Sequence, residues 1–179
     1  MKLLILFGSP SVGKATVGKL IESKTNFKLF HNHMIMDGVI HIFGMATPSE
    51  DKLSKLIRTQ VIEEAANANI DLIFTYAWNF GSEKGKTNID SFKKIYEDRG
   101  GKVQFVELVA PLAVRVERAG QPERKQLKSH APDPERVAYL EKTLDFKSPS
   151  PFFYPKIYQQ IDTTNKTAEE VAETVITLL

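Results

Sequence analysis

Short runs of unbroken apolar residues alternate along the chain with longer stretches in which apolar positions recur every three or four residues. Lys2–Phe7 (KLLILF) is nearly continuous in hydrophobicity, which predicts a strand buried on both faces of a parallel sheet. Phe27–Phe30, Ile70–Tyr76, Lys102–Val109 and Lys156–Ile161 read the same way, the first of them short. Between them lie helical patterns. Lys14–Lys24 places Val17, Leu20 and Ile21 on one side, Met34–Phe43 follows, and a longer helix runs from Pro48 or Ser49 to about Asn69. In that long helix Leu53, Leu56, Ile57, Val61, Ile62 and Ala65 recur at helical spacing. Ile89–Arg99 is closed by Gly100-Gly101, Leu112–Ala119 follows Pro111, and Thr167–Leu179 turns Val171, Val175 and Ile176 inward. Gly81–Asn88 reads as a polar loop, and Gly120 to about Ser150 as a proline-punctuated stretch rich in both charges. Strand–helix alternation predicts an α/β fold: a three-layer α/β/α sandwich around a five-stranded parallel sheet.

In such sheets ligands sit beyond the carboxyl ends of the strands, so the loops after each strand are the candidate chemistry. The first is the most specific. Gly8-Ser9-Pro10-Ser11-Val12-Gly13-Lys14-Ala15-Thr16 is a G-x-x-x-x-G-K loop set between a buried strand and a helix. Its glycines let backbone N–H groups converge on an anion, the following helix adds its positive end, and Lys14 supplies a point charge. Ser9, Ser11 and Thr16 are further hydroxyls near the phosphates. The position after Lys14 ordinarily carries Ser or Thr to hold Mg²⁺, and here it is Ala15. Phosphate binding is therefore strongly indicated, and protein-held Mg²⁺ only weakly.

With this loop on the page, the chain resembles the small P-loop kinases: shikimate kinases, nucleoside monophosphate kinases and antibiotic phosphotransferases of the chloramphenicol type. The likeness runs in element order from Gly8 to Ile161-Asp162-Thr163-Thr164 and the closing helix. It is nearest to shikimate-kinase-like P-loop proteins whose loop reads G-K-[AM]-T, a group that Leu29-Phe30-His31-Asn32-His33-Met34 also matches. The resemblance implies one domain over residues 1–179, strand order 2-3-1-4-5, an acceptor-binding region at about 31–69 and a small helical lid at about 119–150. It also implies ATP or GTP as phosphate donor, with Mg²⁺, and a small-molecule acceptor.

By the same resemblance, the loop after the second strand holds the acceptor, and the polar groups available there are His31, His33 and Asp37. His33 and Asp37 are four apart and would share a helix face. After the third strand, where related kinases place acidic or arginine-bearing motifs, this chain has Thr75-Tyr76-Ala77-Trp78-Asn79-Phe80. Tyr76 and Trp78 are candidates for an aromatic wall against a planar acceptor, with core packing as the equal competitor. Glu107 is a weak substitute for the missing acid. Counted from Ala110-Pro111, Arg118 matches the position that stacks on adenine and Arg124 the lid position, while Arg115 reaches a phosphate only if its helix turns that way. A guanidinium suits both tasks. Thr163 lies in the loop that passes over the base. Lys14, Asp37 and Arg118 are the expected catalytic groups.

Composition adds limits rather than chemistry. At 179 residues, with 42% hydrophobic and 26% charged residues, the chain is of common size for a globular domain. It has 0 cysteines, which excludes disulfides and thiolate metal sites. A net charge of +2 is too mild to imply a nucleic-acid partner. No apolar run reaches the ~20 residues that span a bilayer. A glycine-rich loop follows the apolar start instead of a cleavage site, so the expected compartment is the cytoplasm. The rival reading is a nucleotide-binding sensor or interaction module with little transfer activity, motivated by Ala15 and the unacidic end of the third strand.

Overall fold

The computed structural model describes residues 1–121 and 131–179. Five strands, β1 (Lys2–Phe7), β2 (Lys28–His31), β3 (Leu72–Tyr76), β4 (Lys102–Val109) and β5 (Tyr158–Asp162), form one parallel sheet ordered β2-β3-β1-β4-β5. β1 lies at the centre, and Leu3 to Phe7 are each 0% exposed, as a strand covered on both faces requires.

Seven helices among the described residues cover the two faces: α1 (Lys14–Lys24), α2 (His33–Phe43), α3 (Pro48–Asn67), α4 (Glu83–Glu97), α5 (Leu112–Ala119), α6 (Pro134–Thr143) and α7 (Ala168–Ile176). Alternation along β1 sends Leu4 and Leu6 to one core with Val17 and Ile21 of α1 and Val171 and Val175 of α7. Leu3, Ile5 and Phe7 go to the other core, with Val39 of α2, Ile62 of α3 and Ile89 and Phe92 of α4. No helix among the described residues is long and apolar enough to cross a membrane.

Several element ends shift by one to three residues from the pattern reading, β5 for instance running Tyr158–Asp162, and three departures have a visible cause. α4 begins at Glu83 inside the expected Gly81–Asn88 loop. Gly85, which reads as a loop residue, is there for contact: a Cβ on it would lie 2.9 Å from Cδ1 and Nε1 of Trp78. α6 lies in the stretch that reads only as polar and charged. It is started by Asp133, whose side chain accepts from Arg136 N at 2.7 Å, with Pro134 in the first turn, and Val137 is its one buried residue. β3 begins at Leu72 rather than Ile70, because Ile70 N bonds back to Ala65 O at the end of α3.

Candidate nucleotide cleft and acceptor cluster

The loop after β1 is built by its backbone. Gly8 has φ +141°, and a Cβ there would lie 2.2 Å from the Leu108 carbonyl oxygen on β4, so only glycine fits. Gly13 (φ 103°) and Ser11 (φ 67°) also take positive φ, which curls the segment. Gly13 is the N-cap of α1 and supplies no side-chain cap. The first amides of an 11-residue helix therefore point into the loop, together with the positive end of its dipole. Lys14 Nζ donates to the carbonyl oxygens of Gly8 at 2.7 Å and Ser9 at 2.8 Å, which holds the ammonium against the loop itself.

The loop opens on a cleft of about 250 Å³. Ser11 to Val17 form one wall, and Arg118, Gln121, Thr163 and Lys166 another. Arg118 is fixed across it: Nη1 donates to Thr163 Oγ1 at 2.9 Å and Nη2 to Thr163 O at 2.7 Å. Thr163, 3% exposed, is itself pinned by its N–H to Val109 O at 2.9 Å. The next turn is rigid too. Hydrogen bonds from the Thr164 hydroxyl and N–H hold the Asp162 carboxyl below the usual carboxylate range. Thr167 and Glu170 form a reciprocal capping box that starts α7. Arg118 and Thr163 thus share the cleft with the loop, whereas Arg124 lies outside the described residues.

Ala15 lines the cleft with no donor atom, and β3 ends in Thr75 and Tyr76. Among the described residues no group of three acidic or histidine side chains could hold a metal ion.

A second polar group gathers beyond β2 and β3, on the other side of β1. Tyr76 stands opposite Phe7 in the β3–β1 register, one residue below Gly8, and His31 stands opposite Thr75. His33 Nδ1 and Asp37 Oδ1 approach to 3.3 Å on the shared face of α2, both partly buried. The residue that spacing does not reveal is Arg58 on α3. Its Nε donates to Asn32 Oδ1 at 2.6 Å, its only hydrogen bond among the described residues. Burial lowers its pKa, against the pull of Tyr76, Glu50 and Asp51. Burial in turn raises the Tyr76 phenol, offset by Arg58 and a hydrogen bond with Asn88. Arg58 is 26 residues from Asn32, and on α3 it reads as one more surface charge, so no local signal marks it.

Two candidates are placed elsewhere. Trp78, expected on an acceptor wall, is 1% exposed: its ring stacks on Phe80 at 4.7 Å and meets Phe7 edge-on at 5.6 Å. Trp78 thus packs in the core, while Tyr76 at the end of β3 stays partly buried beside Arg58. Arg115 turns away from the cleft. It donates through Nε to Ala110 O at 3.0 Å and pairs through Nη2 with Glu141 of α6 at 2.8 Å, clasping α5 to α6.

No family profile and no curated protein sequence matches the chain. Solved structures match it along its length. A sugar kinase from Janibacter sp. HTCC2649 superposes with TM-score 0.67 at 15% identity, covering 99% of this chain and 94% of that one. A gluconokinase from Sinorhizobium meliloti 1021 gives TM-score 0.63 at 14% identity, covering 99% and 90%. Shikimate kinase from Acinetobacter baumannii, in complex with shikimate, gives TM-score 0.59 at 16% identity, covering 98% and 91%. The chain shares the fold of these three proteins, with the sheet order expected from the sequence.

Proposed function

We propose that this chain binds ATP or GTP in the cleft at α1 and transfers the terminal phosphoryl group to a small acceptor that carries an anionic group. The observation that carries the reading is the loop: three positive-φ residues, an uncapped helix N-terminus and Lys14 converge on one point beside the Arg118–Thr163 wall. Main-chain amides at such a point bind phosphate oxygens without any side chain. Lys14 answers the charge that grows on the bridging oxygen, and Arg118 flanks the base and phosphates.

The acceptor sits over β2 and β3. Its hydroxyl oxygen attacks the γ-phosphorus while the bond to the β–γ bridging oxygen breaks, leaving the nucleoside diphosphate. The hydroxyl proton passes to Asp37, which His33 orients. Positioning and charge stabilisation supply most of the rate, and such a base adds about 10²–10⁴-fold. The anionic group on the acceptor follows from Arg58. Among the described residues this partly buried cation has no carboxylate in ion-pair contact, Glu50 and Asp51 acting on it only from longer range, and a partly desolvated charge gains from a ligand that neutralises it. A hydroxy acid or a sugar acid answers it; a neutral sugar does not.

The test is calorimetric titration of ATP and GTP with and without Mg²⁺, then turnover with paired acceptors such as gluconate and glucose. The expected result is nucleotide binding, and turnover stimulated by the acid member of a pair. Absence of nucleotide affinity overturns the reading at its root. Tight nucleotide binding that no acceptor converts to turnover favours the sensor or interaction module instead.

A further inference from the structure

On the opposite flank of β1 lies a cavity of about 580 Å³ that neither the nucleotide nor the acceptor reading uses. It sits at the carboxyl ends of β4 and β5, closed above by residues 146–150 of the segment that returns from α6, with Ser9 of the phosphate loop in its wall. At its base is Glu107, opposite Phe7 in the β4–β1 register and 2% exposed.

The hydrogen bonding of this carboxylate is lopsided. Ser148 Oγ at 2.8 Å, Tyr158 OH at 2.5 Å and Gln160 Nε2 at 2.9 Å all donate to Oε2. Oε1 has no hydrogen-bond partner among the described residues. Among the described residues no cation lies within ion-pair distance of it either. Arg115, in the same wall, is paired with Glu141, and Lys147 is exposed at the rim without an ion-pair contact to Glu107. Burial, and then the adjoining Glu107, push the Tyr158 phenol up to about 12, so Tyr158 remains a donor across the physiological range. The ionised form of Glu107 thus keeps three donors on one oxygen and leaves the other for an occupant.

From this we propose that the cavity is a binding site for a small hydroxylated primary amine, an amino sugar or amino alcohol. Its ammonium group pairs with Glu107 Oε1. Ser9 and Ser148 offer hydroxyls to those of the ligand, and the rings of Phe146 and Phe152 supply an apolar surface for its C–H face. The charge selects an amine over a neutral polyol, because a buried carboxylate without a counter-ion gains most from a cation. This site does not depend on the phosphotransfer reading: it is separate from Arg58, and it meets the loop after β1 only at Ser9, which does not line the nucleotide cleft.

The experiment is calorimetric titration of the full chain, without nucleotide, with glucosamine and ethanolamine, and with glucose and ethylene glycol as neutral counterparts. The amines are expected to bind at least about tenfold more tightly than their neutral partners, the value of one charge-assisted hydrogen bond. Glu107→Gln should abolish that preference while leaving ATP titration unchanged. If Glu107→Gln does not fold, as judged by near-ultraviolet circular dichroism, Ser148→Leu, which fills the cavity, should remove amine binding in its place. The proposal is overturned by equal binding of amine and neutral partner, by no binding of either, or by amine binding that survives the substitutions. Loss of nucleotide binding in Lys14→Ala with amine binding intact would separate this site from the function proposed above.

Discussion

The two sides of β1 are made differently. On the side proposed for the nucleotide the cradle is main chain: the positive φ of Gly8, Ser11 and Gly13 and the open amides of α1 lie within a few consecutive residues. On the side proposed for the acceptor the cluster is side chain. It is assembled from the end of β2, the start of α2, the middle of α3 and the end of β3, with Arg58 reaching Asn32 across 26 residues. A main-chain site tolerates changes of side chain but not of backbone angle. A side-chain site behaves in the opposite way, which is how one fold can serve many acceptors.

Gly8→Ala is the most disruptive way to test the first half of that contrast. Its Cβ would fall 2.2 Å from Leu108 O at φ +141°, and we expect a loss of about 3 kcal/mol in denaturant unfolding, with nucleotide binding gone. Lys14→Ala keeps the backbone and should weaken ATP binding about 10–100-fold by calorimetry, with the unfolding midpoint little changed. The pair separates the loop's shape from its charge.

Arg58→Met tests the second half. Replacing a poorly answered cation by an apolar side chain of similar length should leave ATP affinity unaltered and raise stability by about 1 kcal/mol, while acceptor-stimulated turnover is lost. A variant that both destabilises the fold and keeps turnover would make Arg58 structural. The smallest effect belongs to Thr167→Ala, which removes half of the α7 capping box and should cost about 1 kcal/mol without touching either ligand. The same box has a pH signature. Hydrogen bonds from the Thr167 backbone N–H and hydroxyl hold the Glu170 carboxyl below its ordinary value of 4.5. Its contribution is therefore complete above that value and disappears as pH falls through the depressed one, which thermal melts between neutral and acid pH would follow in wild type and more weakly in Thr167→Ala, which keeps the N–H and loses the hydroxyl.

The same division explains what could be read from the residues. β1, α1, β4 and α5 begin and end where the hydrophobic pattern puts them, because each is bounded by a local signal: the glycine loop, Gly100-Gly101 and Pro111. α4 was harder to place. Gly85 looks like punctuation until the Trp78 ring is seen lying against it. α6 buries only Val137, and its start rests on the Asp133 cap and Pro134. At the sites, Lys14 and the loop were legible, and the four-residue spacing of His33 and Asp37 foretold their contact. Arg58 was not, since it sits in a solvated-looking helix, and Glu107 reads only as a weak substitute acid because the side chains that gather on its Oε2 come from Ser148, Tyr158 and Gln160, far along the chain.

By itself, the order of residues determined the alternation of strand and helix, and with it a parallel sheet whose first loop curls through Gly8, Ser11 and Gly13. These depend on backbone angles and periodicities that act over about ten residues. Only the folded chain decided that Trp78 fills the core, that Arg115 clasps α6 rather than a phosphate, that Arg118 locks onto Thr163, and that Glu107 is left with an unshared oxygen in a cavity. Those outcomes depend on which side chains meet after tens of residues of intervening chain have packed, and no local pattern carries that information.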